Sequence, residues 1–140
     1  MPDKLKRFLL LLPPVAFVAM FIYMLFFYSS FESPGRIIYY SQCANCHGNQ
    51  GEGTERLVPP IYNTERLRKH FESLPCLILK GLNDSILVEG KWYNQPMYPI
   101  KLSDVEMANL MKYLNDSLLE KPHDILMNEA WVKRQRENCR

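Results

Sequence analysis

The stretch Cys43–His47, CANCH, decides how the rest of this chain is read. Two cysteines three positions apart on a helical turn project from one side. Each can add to one vinyl group of a haem, while the adjacent histidine reaches the iron. A structural zinc site built on the same pair needs a second ligand pair at similar spacing. The remaining cysteines, Cys76 and Cys139, stand alone and far apart. A thioredoxin-like dithiol needs the motif between a strand and a helix of a βαβ unit, and no such pattern flanks it. The residues therefore point to one covalently attached c-type haem, with His47 as a ligand to its iron.

A dozen residues upstream, Phe8 to Tyr28 reads FLLLLPPVAFVAMFIYMLFFY, 21 residues without a charge. At about 1.5 Å per residue this covers roughly 30 Å of hydrocarbon, the thickness a transmembrane helix needs. A cleaved signal peptide has an apolar core of about 7 to 15 residues and a small-residue cleavage site. This core is longer, and YSSFES is a poor site, so a retained anchor is expected over 8–28. Pro13 and Pro14 fall in its first turns, where a missing backbone donor is tolerated and a slight kink is expected. Lys4, Lys6 and Arg7 precede it. By the positive-inside tendency residues 1–7 are cytoplasmic and the domain lies on the periplasmic or outer side of the inner membrane. Phe26, Phe27, Tyr28 and Phe31 form an aromatic belt at the exit.

The chain of 140 residues leaves roughly 110 beyond this segment, enough for one small domain. Of the 17 Lys and Arg only Lys4, Lys6 and Arg7 lie before residue 31, and of the 15 Asp and Glu only Asp3, so 14 of each remain. A near-neutral exported domain gives no electrostatic support to nucleic-acid binding. Its compartment permits a disulfide.

Residues 29–35, SSFESPG, form a short linker to a domain over 36–118, followed by an extension over 119–140. RIIYYSQCANCH predicts a helix running into the motif, and HGNQGEGTERLVPP, with three glycines and two prolines, a loop. Thr64 is placed to cap a helix over 64–73, and LPCLILKG a helix ending at Gly81. Residues 82–100 are irregular, with a small hairpin at Glu89-Gly90. S-D-V-E at Ser103 to Glu106 is a capping box opening the clearest helix, whose apolar face carries Val105, Leu110, Met111, Tyr113 and Leu114. DILMNEAWVKRQREN, in the extension, predicts a short amphipathic helix. The fold class is all-α, with helices joined by long loops.

Several separate stretches resemble one family in its order: GRIIYYSQCANCHG, with Gly35 and Tyr39 eight and four places before Cys43, then GEG, PPI, ILKG, GKWYNQPM and LSDVEMANLMKYL. Over roughly residues 35–116 the chain resembles the monohaem class I cytochromes c, in their membrane-anchored bacterial form. The resemblance implies thioethers at Cys43 and Cys46, His47 as proximal ligand and the Pro59 carbonyl as acceptor for its other ring N–H, a bond that orients a ligating imidazole. It implies Met97 as distal ligand, Tyr93 and Trp92 lining the propionate side, and Asn94 hydrogen-bonding near the Met97 sulfur. The family shows Met-Pro where this chain has Tyr98 between Met97 and Pro99.

Met107 and Met111, four apart on the capped helix, read as core filler, and Met127 lies in the extension. His70, among charges, reads as solvated helix surface, and His123 as a loop residue. Lys133, Arg134, Arg136 and Arg140 alternate with acids, as on a solvated helix face. Cys76 and Cys139 either pair, stapling the extension to the third helix, or leave a free thiol near the C-terminus.

With His47 and Met97 both on iron there is no open position for a substrate, which leaves one-electron transfer rather than enzymatic turnover. The expected function is a tethered carrier between a quinol-oxidising complex and a terminal oxidase or reductase. The alternatives are a fixed haem subunit of such a complex, a haem enzyme or gas sensor with an open sixth site, or a haem-free membrane module.

Overall fold

The computed structural model describes residues 3–29 and 32–139, with side chains described at 13–26 and 32–139. It falls into two compact units, one ending at Glu32 and one spanning Ser33–Arg140. The first is the helix α1, Asp3–Ser29, 27 residues long. The charged residues Lys4, Lys6 and Arg7 are good helix formers, so the helix opens before the apolar stretch. Pro13 and Pro14 therefore lie well inside it and not in its first turns. Among the described residues no helix is long and apolar enough to cross a membrane. The expected anchor over 8–28 lies partly outside the described side chains.

The second unit opens with α2, Pro34–Gln42. Ser33 caps it by accepting from the Arg36 N–H at 3.3 Å, and proline stands in its first turn. Ser-Pro is a start signal because proline needs no donor there, so Pro34 and Gly35 belong to the helix and not to the expected linker. The helix is interrupted at Cys43 (φ −118°, ψ −39°), and the one-turn helix α3, Ala44–His47, follows. The predicted single helix is thus two.

Thr64 caps α4, Glu65–Lys69, through the Leu67 N–H. A 3-10 turn at Phe71–Ser73 separates it from α5, Leu74–Lys80, which Gly81 ends at φ +73°. The hairpin consists of β1, Ile86–Val88, and β2, Lys91–Tyr93, paired Ile86 to Tyr93 and Leu87 to Trp92. Both turn residues, Glu89 and Gly90, have positive φ, as a two-residue hairpin matching strand twist requires. The Glu89 carboxylate accepts the Glu65 N–H at 3.0 Å, pinning the hairpin tip to the start of α4.

The long helix α6, Asp104–Leu118, carries the capping box between Ser103 and Glu106. Its buried residues are Met107, Ala108, Leu110, Met111, Leu114, Asn115 and Leu118. Met107 and Met111 are fully buried, core filler as expected, but Val105 is 55% exposed and off that face. The core joins α6 to Tyr39, Leu67, Phe71 and Ile78, and to Trp131 and Val132 of α7, Glu129–Glu137. The extension therefore shares the domain's core.

The Ser103 hydroxyl and backbone N–H hold the Glu106 carboxyl below its ordinary value. A lowered folded-state value means that this contribution is complete above the ordinary value of 4.5 and fades as pH falls through the lowered one. Ser103→Ala is expected to cost about 1 kcal/mol at neutral pH. Denaturant titrations should show the Ser103→Ala deficit shrinking as the pH falls below the ordinary value of 4.5, and a deficit constant with pH would contradict the charged cap.

Candidate functional site

The motif and its partners surround a cavity of about 450 Å³, within the roughly 300–1,000 Å³ of cofactor and small-molecule sites. Cys43, Cys46, His47 and Pro59 line one part of it, and Leu67, Ile78, Val88, Tyr93, Met97 and Leu110 are among its other walls. Cys43 is half-buried and Cys46 exposed. Burial, reinforced by the neighbouring Cys46, pushes the Cys43 thiol up to about 11.

Local backbone geometry presents these groups. The break at Cys43 leaves its carbonyl accepting from both Cys46 and His47, at 3.1 and 2.9 Å, which closes the turn that puts the two sulfurs and the imidazole together. The fully buried Tyr39 donates its hydroxyl to the Gly48 carbonyl at 2.7 Å, anchoring the turn's end to α2. The loop then folds back on itself. Gly53 donates to the His47 carbonyl at 2.7 Å, and Thr54 and Val58 exchange hydrogen bonds at 2.9 and 3.0 Å. At Gly53 (φ +74°) a Cβ would lie 2.6 Å from both the Val58 carbonyl and the Pro60 nitrogen, so this tight return admits only glycine.

The fold-back brings the Pro59 carbonyl 3.2 Å from His47 Nδ1. A carbonyl only accepts, so Nδ1 carries the proton and Nε2 keeps its lone pair. Burial lowers the His47 pKa, and the Pro59 bond partly opposes this. The neutral, ligand-ready imidazole is thereby favoured.

Met97 is presented just as firmly. Its N–H and carbonyl both pair with Leu82, each at 2.8 Å, and the Ile100 N–H donates to the Ile78 carbonyl at 2.9 Å. Gly81 makes the close approach possible, because a Cβ there would sit 2.3 Å from the Met97 carbonyl oxygen. Met97 is half-buried against the core, while Tyr98 is 78% exposed. The extra residue before Pro99, Tyr98, is accommodated at the exposed rim of the cavity.

Of the aromatic and polar residues expected beside the cofactor, only Tyr93 reaches the cavity wall. Trp92 is 69% exposed and Asn94 is exposed, and neither lines the cavity. Strand alternation is the reason: Ile86, Val88 and Tyr93 line the cavity, so Leu87 and Trp92 take the opposite face. His70 is exposed at the C-terminal end of α4, but it also lines the cavity, which the reading as solvated surface did not anticipate. His123 is half-buried, its ring stacked on Phe71 with centroids 4.8 Å apart. Cys76 and Cys139 form a disulfide. Among the described residues no group of three or more His, Cys, Asp or Glu could hold a metal ion.

The sequence reading missed Leu82, Gly81 and Ile78 as supports of Met97. Gly81 was legible as a helix end, but backbone pairing across fifteen positions leaves no local signal.

The family model for cytochrome c matches residues 33–117. The chain belongs to the cytochrome c family. It is 35% identical over 80 residues to a cytochrome c-552 of Thermus thermophilus, covering 54% of this chain and 61% of that protein. A second cytochrome c-552 of Thermus thermophilus is likewise 35% identical over 80 residues, 54% of each chain. The chain thus matches only about half to three fifths of the length of these curated relatives.

Family membership brings a covalently bound haem c, typically one per chain, and points to haem-based electron transfer. The cytochrome's own residues fit that group. Two thiols and an imidazole with its Nε2 lone pair line one part of an apolar cavity, and a thioether side chain lines another.

Proposed function

We propose that this cytochrome is a membrane-tethered one-electron carrier, taking electrons from a quinol-oxidising complex and giving them to a terminal oxidase or reductase. The observation that carries the reading is Met97, held by two backbone hydrogen bonds to Leu82 on the wall of the cavity that also contains His47. When bound, haem supplies a one-electron iron couple whose potential an axial methionine raises. His47 and Met97 are the side chains that would hold its iron, and with both bound no position would be left for a substrate or gas. Cys43 and Cys46 would hold the group covalently in both oxidation states, and Cys46 is the more exposed of the two.

Visible spectroscopy tests this. The ferric protein is expected to show the weak far-red band of thioether-ligated haem c, and the ferrous protein to resist carbon monoxide. A missing band with ready carbon monoxide binding would instead support the haem enzyme or sensor.

Two features support the tether. The uncharged stretch 8–28 lies within the continuous helix α1, and its apolar side chains include Phe17, 65% exposed, and Phe21, 57% exposed. Such a surface is stable in lipid or against partner helices. In this reading the N-terminus is cytoplasmic and the haem domain periplasmic or outward-facing. The protein should stay with membranes in alkaline carbonate and be released by detergent; recovery in the carbonate supernatant would rule the anchor out.

The second reading, a fixed subunit of a respiratory complex, is favoured by the balanced charge beyond residue 30, which gives no long-range steering. Mild solubilisation separates the two: a carrier emerges alone, a subunit in a larger particle.

A further inference from the structure

The C-terminal extension is tied to α5 at its far end. The disulfide joins Cys76 of α5 to Cys139, with Cα atoms 5.4 Å apart, and Lys80 Nζ donates to the Cys139 carbonyl at 3.1 Å. The rest of the extension is held to the core. Trp131 and Val132 are buried, and Arg136 pairs with Asp104 in the first turn of α6. Asn115 clasps the connecting segment, its Nδ2 donating to the His123 carbonyl at 3.2 Å and its Oδ1 accepting the His123 N–H at 2.8 Å.

The other end of α5 carries the Met97 segment. Three backbone hydrogen bonds, one from Ile100 to Ile78 and two between Met97 and Leu82, join that segment to the last turn of α5 and the residue after Gly81. A helix of seven residues does not hold its shape or position by itself; α5 is held by Pro75 and Ile78, both buried, and by the staple. Cys76 and Gly81 are about 8 Å apart along the helix at 1.5 Å per residue. α5 is therefore a short link that carries the staple at Cys76 and the Met97 segment from Ile78 to Leu82, with Lys80 tying its last residue to Cys139 as well.

We propose that the disulfide-closed extension is a positioning brace for Met97, setting how often its sulfur leaves the iron. This rests on Met97 being the second axial ligand. The sulfur can withdraw by two routes: the segment peels from α5, breaking three hydrogen bonds, or α5 shifts and carries the segment with it. The staple closes the second route. A dithiol reductant reopens it: two electrons and two protons convert the Cys76–Cys139 disulfide to two thiols, and the reductant becomes a disulfide. The thioethers at Cys43 and Cys46 contain no S–S bond and survive this treatment.

The test uses the full-length holoprotein, reduced with a dithiol, alkylated at Cys76 and Cys139 and reoxidised, beside a Cys76→Ser/Cys139→Ser variant. Imidazole added to the ferric protein binds only as Met97 leaves, so its rate at saturating imidazole reads the opening of the segment. Opening the disulfide is expected to accelerate this rate at least about tenfold, and to speed amide exchange at Leu82 and Met97 by a similar factor. Ile38→Ala, which thins the core on the α2 side, should leave the imidazole rate within about twofold. Unchanged rates without the disulfide, or equal acceleration in Ile38→Ala, would overturn the brace. A wild-type protein lacking the far-red thioether band shows that the ligation reading has failed instead. Amide exchange at Leu82 and Met97 then decides the brace by itself.

Discussion

Met97→Ala is expected to abolish the far-red band of the ferric protein and to lower the reduction potential by on the order of 0.1 V or more, within the roughly 0.8 V that axial ligands span. The thioether favours the reduced iron, so losing it favours the oxidised form. The other methionines weighed are poorly placed: Met107 and Met111 are fully buried in α6, and Met127 sits in the extension. The fold should tolerate the change. The two hydrogen bonds to Leu82 are made by the Met97 backbone, and an alanine there keeps both. Potentiometric titration of both proteins checks this. A persisting band with an unchanged potential would remove Met97 from the iron and reopen the choice of ligand.

Gly35→Ala is expected to destabilise the holoprotein by about 3 kcal/mol, at the upper end of what overpacking costs. A Cβ at this position would lie 2.0 Å from the Asn109 carbonyl oxygen and 2.8 Å from Tyr113 Cβ. The obstacle is backbone of α6, which no rotamer change clears, so α2 and α6 must separate. Alanine's better helix propensity returns only about 1 kcal/mol, less than the clash costs. At about 4–8 °C per kcal/mol for a domain of this size, the melting point should fall by roughly 15 °C. Gly90→Ala is the control: it has nothing within 4 Å, so only the strain of φ +76° opposes it. Equal melting points for Gly35→Ala and wild type would contradict this packing.

Much of the site was legible because its groups are neighbours in sequence. Cys43, Cys46 and His47 occupy one turn, and the capping box of Ser103 and Glu106 is likewise a three-residue relation. Thr64, Gly81 and the Glu89-Gly90 turn were readable for the same reason, since each answers a local backbone need. The errors have equally specific causes. Trp92 was placed beside the cofactor by the family resemblance, but adjacent strand residues face opposite ways. Val105 was assigned to the core by its apolar character, yet α6 turns its buried stripe to Met107, Met111 and Leu118. The break at Cys43 was invisible because the residues on both sides are helix-compatible.

The chain's local chemistry alone pointed to a haem site at Cys43, Cys46 and His47, and showed that a long uncharged stretch precedes the domain and that helices dominate. Those conclusions need only spacing and period. The tertiary structure alone decided that the loop after His47 returns the Pro59 carbonyl to its Nδ1, that Leu82 grips Met97, and that the extension closes on α5 through Cys76 and Cys139. Each of these joins groups 12 to 63 positions apart. Their pairing follows from how the helices pack, which no local pattern along the chain records.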